Sequence, residues 1–268
     1  MTTHYGVDDE RVRDAFHRWD RKRDTGSAAG DELVELFDAV EPTRQRLLRR
    51  LNHAPGATLS LVEMRSDLRR LMRDDRDLRP LDHDFHHLLT SWFNRGFLQM
   101  IEVTPESPAE VHRHLLHYET VHPMSTDAEL RRRLVPEDRR IFAFVHPATN
   151  DVPLIFVEIA LVRGVPHHIA PLLEPGPALD PDTADTAALY SINNALDGLA
   201  GVSFGSLLIK QVIEQVSAQL PHLRDFVTLS PIPGFRAWLT TRAEHDPGAR
   251  RLVDTLHAAQ SPSDLAED

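Results

Sequence analysis

The hydrophobic period of the chain changes near residue 120, and that change limits the available folds more than any other feature. Upstream, apolar residues recur at three- and four-residue steps with charged residues between them: Leu33, Leu36, Phe37 and Val40, then Leu61, Met64, Leu68 and Leu71. A stripe of this kind marks helices that bury one face. Ser107-Pro108-Ala109-Glu110 sets a serine cap, a first-turn proline and a capping-box glutamate ahead of a helix to about Tyr118. Thr126 with Glu129 repeats the device. Helices are therefore expected through residue 120.

Downstream, Ile141 to Val145 and Leu154 to Val162 are short β-rich apolar runs. The turn-forming cluster Pro147 to Pro153 between them predicts neighbouring antiparallel strands. Residues 171–185 hold four prolines, a glycine and four acids and read as an exposed loop. A helix is expected at about 186–198, and another from Gly205 to about Leu220 with Leu208, Val212 and Val216 on one face. Leu252, Val253 and Leu256 read as one further amphipathic helix. The fold class is α+β, with an all-helical domain over 1–120 followed by an α/β domain over 121–268.

A chain of 268 residues with 41% hydrophobic content can bury a sizeable core. Its formal charge of −11 argues against a nucleic-acid partner, which selects basic faces, but leaves room for a local basic pocket. No apolar run approaches membrane-spanning length, and the first ten residues lack the basic patch and apolar core of a signal peptide. The cytoplasm is the expected compartment and no membrane contact is expected. Zero cysteines exclude disulfides, thiolate metal sites and a cysteine nucleophile.

Residues 226–239 read Phe-Val-Thr-Leu-Ser-Pro-Ile-Pro-Gly-Phe-Arg-Ala-Trp-Leu. Phe226 to Leu229 is expected to be a buried strand. Pro231 and Pro233 have no backbone donor, so pairing should stop at Ser230 and leave its hydroxyl at a strand end, where α/β proteins often place catalytic groups. The competing reading is a hydroxyl that caps local backbone.

Gly201 and Gly205 bracket a turn directly ahead of an amphipathic helix. Backbone amides there could face an anion such as a diphosphate, helped by the helix dipole, or the turn could be only a tight connection. The 16 histidines include clusters at 83–87 and 112–117, yet none has a converging carboxylate at ligand spacing, so no metal site is expected. His122 reads either as an anchor between the domains or as a substrate contact. Trp92-Phe93 reads as core.

Six segments carry a family likeness: Leu229-Ser230-Pro231-Ile232-Pro233-Gly234-Phe235, Tyr118 to Pro123, Ser191-Ile192-Asn193, Gly201 to Lys210, Pro221-His222-Leu223, and Ser91 to Leu98. In their order and spacing, from about residue 60 to 239, they resemble the malonyl-CoA decarboxylases. The resemblance implies an acetyltransferase-like (GNAT) domain in which Ala200, Gly201, Val202, Ser203, Phe204, Gly205 and Ser206 cradle the coenzyme A diphosphate, with Lys210 adding charge. It implies that Ser230 is catalytic, that malonyl-CoA becomes acetyl-CoA and carbon dioxide in fatty-acid and malonate metabolism, and that the helical domain self-associates into a homo-oligomer. No metal or organic cofactor is implied, because the thioester itself accepts the electrons.

One family feature is missing. The family's serine works with a histidine from a later Asn-Pro…Phe-His motif, whereas only His245 and His257 follow Leu239, in other contexts. The α/β domain is thus expected to lack its C-terminal part, as a shortened relative, a truncated product or half of a split enzyme. A non-catalytic acyl-CoA-binding or assembly subunit is the alternative function, and a CoA-dependent acyltransferase a third.

Overall fold

The computed structural model of the chain describes residues 6–24, 30–93, 95–149, 152–174, 176–202, 205–232 and 234–258. Its contacts divide the chain into two compact units: Met1–Leu98 with His146–Asp151 and Leu196–Phe204, and Gln99–Val145 with Val152–Ala195 and Gly205–Asp268.

The first unit is built from α1 (Asp9–Asp24), α2 (Gly30–Val40), α3 (Thr43–Leu51), α4 (Ala57–Leu71) and α5 (Arg79–Trp92). The face of α4 that is buried comprises Thr58, Leu61, Val62, Arg65 and Leu68. Met64 and Leu71, read from the sequence as part of that stripe, are exposed. An arginine occupies the place the pattern gave to Met64, because its charge is met internally. From α5 come Phe85, Leu88 and Leu89, and Phe93 follows at its C-cap, all buried. Asp84 is buried beside them and accepts from Arg44 Nε at 2.7 Å and Gln45 Nε2 at 2.9 Å, which ties α3 to α5. Phe93 meets the His146 ring edge-on at 5.0 Å between centroids, so the expected core role holds for Phe93, while Trp92 is half-buried. On α2, Leu33, Val34, Phe37 and Val40 are exposed although their spacing is helical.

The second unit holds a five-stranded sheet in the order β1 (Gln99–Val103), β2 (Arg139–Val145), β3 (Pro153–Val162), β4 (Thr186–Asn194), β5 (Asp225–Thr228). Pairing is antiparallel from β1 to β4, as expected for β2 and β3, and parallel between β4 and β5. Parallel pairing needs a long connection, and residues 195–224 supply one that contains α9 (Gly205–Gln219). Leu208, Val212 and Val216 form the buried face of α9, as their spacing predicts. The other helices of this unit are α6 (Ala109–Tyr118), α7 (Asp127–Leu134), α8 (Ala170–Leu173), α10 (Phe235–Ala243) and α11 (Pro247–Ala258). Leu239, Ala243 and Ala249 pack as a small cluster with Val253 of α11, while Leu252 and Leu256 stay exposed.

Four expectations are corrected. Residues 99–103, placed among the helices, form β1, whose five-residue run is too short to show a period. Residues 186–194, expected to be helical, form β4. This central strand is buried on both faces from Thr186 to Ser191, so it shows no alternation, and its alanines raise helix propensity without deciding the structure. Phe226 to Leu229 does lie in and just beyond a strand, but β5 is an edge strand and only partly buried. The capping box forms at Thr126 and Glu129, whereas α6 has no side-chain cap: Ser107 Oγ accepts from Thr104 N at 3.0 Å instead.

Candidate functional site

Ser230 follows directly on the last rung of the sheet. Leu229 N donates to Leu189 O at 2.9 Å, and Pro231 has no N–H with which to continue. Gly234, at φ +76°, then opens α10. Ser230 is exposed, and among the described residues its hydroxyl has no hydrogen-bond partner, so the local-capping reading finds no bond to support it.

The expected diphosphate turn begins in the first unit. Leu199 N donates to Leu196 O and Ala200 N to Asp197 O, after which Val202 N closes a four-residue turn on Leu199 O at 2.9 Å. Ala200 at φ −58°, ψ 132° and Gly201 at φ +80° are the two central residues of a type II turn, which calls for glycine at the second. Three hydrogen bonds from the helices hold it. Buried Arg65 donates Nη1 to Gly198 O at 2.8 Å and to Ala200 O at 3.0 Å, while its Nε pairs with Asp82 Oδ1 at 2.9 Å. His86 Nε2 donates to Gly201 O at 3.0 Å. Gly198 is pressed against α4 so closely that a Cβ there would lie 1.9 Å from Val62 O.

Of the other expected site residues, Val202 is buried, and Lys210 is exposed on α9. Gly205 and Ser206 form the first turn of α9. Ser203 and Phe204 lie outside the described residues. No hydrogen bond or ion pair joins Lys210 to Ser230 among the described residues.

The segments 118–123 and 191–193 converge on a buried polar network in the second unit. Glu119 Oε1 accepts from Val121 N and His122 N, both at 2.7 Å, and its Oε2 accepts from Ser191 Oγ at 2.8 Å. Thr120 Oγ1 donates to Asn193 Oδ1 at 3.0 Å, and Asn193 Nδ2 donates to Tyr118 O. His122 Nε2 donates to Tyr190 O at 3.1 Å, so the ring anchors its own segment to β4. Burial first, and Arg133 last, lower the His122 pKa, against the Tyr190 carbonyl and Glu119, which raise it.

Sequence reasoning passed over the centre of this network. Glu158, fully buried in β3, accepts from Arg133 Nη1 at 2.8 Å, while Arg133 Nη2 donates to His122 O at 2.7 Å. Burial is the main cause that pushes the Glu158 carboxyl up to about 7, with Arg133 opposing and Glu119 adding to the rise. Register shifts between Glu158 and Ile159, which leaves Tyr190 as the extra residue of a bulge in β4. One acid inside the apolar run Leu154 to Val162 was the available signal, because a buried acid requires a partner.

Among the described residues no group of three or more histidine, aspartate or glutamate side chains could hold a metal, and no helix is long and apolar enough to cross a membrane.

Comparison with known proteins brings these segments into one family. Residues 5–93 match the malonyl-CoA decarboxylase N-terminal domain and residues 96–263 the malonyl-CoA decarboxylase C-terminal domain. The chain is 32% identical over 277 residues to the mitochondrial malonyl-CoA decarboxylase of Anser anser anser, covering 98% of this chain and 55% of that protein. It is 42% identical to the crystal structure of malonyl-CoA decarboxylase from Rhodopseudomonas palustris, with a TM-score of 0.85 over 98% of this chain and 64% of that one. For the crystal structure from Agrobacterium vitis the values are 43%, 0.84, 98% and 64%. The chain thus spans between about half and two thirds of the length of these relatives. Two domain models that between them take in most of the sequence establish that the chain belongs to the malonyl-CoA decarboxylase family.

Proposed function

We propose that this chain acts on malonyl-CoA and leaves acetyl-CoA and carbon dioxide, with Ser230 as the catalytic hydroxyl. The observation that carries the reading is the exposed Ser230, without a hydrogen-bond partner among the described residues, placed just past the last hydrogen bond of β5. When the bond between C2 and the carboxylate breaks, its electron pair enters the thioester as an enolate and charge develops on the thioester oxygen. A hydroxyl donating to that oxygen stabilises the transition state, and one such donor can contribute about 3–4 kcal/mol. A proton delivered to C2 completes acetyl-CoA.

In this reading the turn at Ala200, Gly201 and Val202, continued by Ser203 to Ser206, holds the coenzyme A diphosphate, and Lys210 adds charge. The helical region mediates self-association, supported by the exposed apolar residues of α2. The test is carbon dioxide release from malonyl-CoA by the 268-residue chain. Release that falls at least a hundredfold in Ser230→Ala supports the enzyme. Coenzyme A binding without release in the unsubstituted chain would favour the non-catalytic acyl-CoA-binding subunit, and equal release by both proteins would remove Ser230 from the reaction.

A further inference from the structure

Arg65 is buried and its charge is already met by Asp82, so it has little left to offer a ligand as a cation. What it does hold is backbone. A trans peptide is planar, with its C=O and N–H pointing opposite ways. No peptide bond among the described residues is cis. By taking Ala200 O at 3.0 Å, Nη1 therefore turns the N–H of Gly201 away from the helices. The neighbouring amides of the turn are occupied: Ala200 N and Val202 N close bonds within it, and Leu199 N donates to Leu196 O. Gly201 N has no hydrogen-bond partner among the described residues, and Gly201 is exposed. The same guanidinium group takes Gly198 O, so two peptides of the turn are set by one planar fork anchored at its other edge by Asp82. A flipped Ala200–Gly201 peptide would lose the bond to Arg65 and turn the Gly201 N–H inward.

We infer that Arg65 is a positioning residue for the phosphate-binding turn, holding the Gly201 N–H outward as a donor to a phosphate oxygen of the acyl-CoA substrate. The inference rests on the reading of the turn at Ala200, Gly201 and Val202 as part of the diphosphate cradle. It assigns to α4, 135 residues upstream, the orientation of that donor. Lysine cannot replace the fork, because an ammonium group is a point charge that cannot span two carbonyls and a carboxylate in one plane. Gly201→Ala reaches the same end from the turn itself. An added Cβ would have only ordinary contact with the His86 ring at 3.6 Å, but φ +80° is strained for any residue with a Cβ, so the alanine favours the flipped peptide.

The experiment is calorimetric binding of 4′-phosphopantetheine and of pantetheine, which differ by one phosphate, with coenzyme A alongside, to the unsubstituted chain, Arg65→Lys and Gly201→Ala. The unsubstituted chain is expected to prefer the phosphorylated ligand. Both variants are expected to lose about tenfold in affinity for it, the size of one charge-assisted hydrogen bond, with pantetheine binding unchanged. An equal loss for both ligands would mark Arg65 as a general structural residue and overturn the inference. So would an unchanged phosphate preference in the variants, which would leave the acyl-CoA reading standing. Coenzyme A binding in the unsubstituted chain without any phosphate preference would overturn the assignment of the turn, and no binding of coenzyme A would overturn the acyl-CoA reading itself. Should Arg65→Lys not fold, Gly201→Ala keeps the inference falsifiable: an unchanged phosphate preference there would show that the Gly201 N–H is not the donor and overturn it.

Discussion

Arg133 Nη1 donates to Glu158 Oε2 at 2.8 Å, and both groups are buried. The pair is therefore sensitive to proton concentration in a way that exposed ion pairs are not. The Glu158 carboxyl stands at about 7 in the folded chain against an ordinary 4.5, so the folded state binds that proton more tightly than the unfolded state. The associated stability is fully present below pH 4.5 and is lost as pH rises through about 7. Glu158→Gln removes the titration. Between pH 4.5 and pH 8 the unsubstituted chain should lose on the order of 3 kcal/mol relative to the variant, read by urea unfolding at both pH values. A gap that stays constant across the window would show that Glu158 does not titrate there.

Arg133→Met leaves Glu158 buried with no cation beside it. At pH 8 the variant should be about 3 kcal/mol less stable, and the deficit should shrink at pH 5, where the carboxyl takes up a proton. Chemical unfolding at the two pH values checks the sign, and a deficit that grows on acidification would refute it.

Gly198→Ala pushes a methyl group into the backbone of α4, 1.9 Å from Val62 O. Relief requires the turn to leave the helix, at a cost of about 2–3 kcal/mol. Thermal unfolding of this variant beside Gly201→Ala should show the larger drop at 198, since position 201 has room for the added atom.

Thr126→Ala should cost about 1 kcal/mol through loss of the cap on α7, while Ser107→Ala should leave the start of α6 unchanged because Ser107 Oγ does not cap it. Amide hydrogen exchange localises the two effects: faster exchange in the first turn of α7 only in the threonine variant.

Phe37 is 74% exposed on α2 among other exposed apolar side chains. If the proposed self-association runs through α2, Phe37→Glu leaves folding intact and lowers it, seen as a sedimentation coefficient that no longer rises with protein concentration. Identical concentration dependence in both proteins would remove this face from the interface.

Local chemistry was legible where a residue's role depends on its immediate neighbours. The Thr126 to Glu129 box, the buried face of α9 and the halt of pairing after Leu229 all follow from spacing and from proline's missing donor. The roles of β4, Arg65 and Glu158 depend on residues far along the chain. Alanines at 187 and 188 speak for helix until strands occupy both flanks, and Arg65 looks like a solvated residue until Gly198 and Ala200 arrive from more than 130 positions away. Of the proposed site, the exposed strand-end serine could be anticipated from Pro231 and Pro233. The orientation of the Gly201 amide could not, because peptide direction leaves no trace in residue order.

The first unit takes its residues from three separate stretches of chain, so the polypeptide passes from one unit to the other at 98/99, 145/146, 151/152, 195/196 and 204/205. No single scission can release either unit whole. A proteolytic fragment ending near residue 120 would carry Arg65 and Asp82 but leave behind the glycine and alanine carbonyls that Arg65 secures, exposing a buried cation to solvent. Dissecting this protein by deletion would therefore report on disrupted halves, and point substitutions are the sounder way to assign its parts.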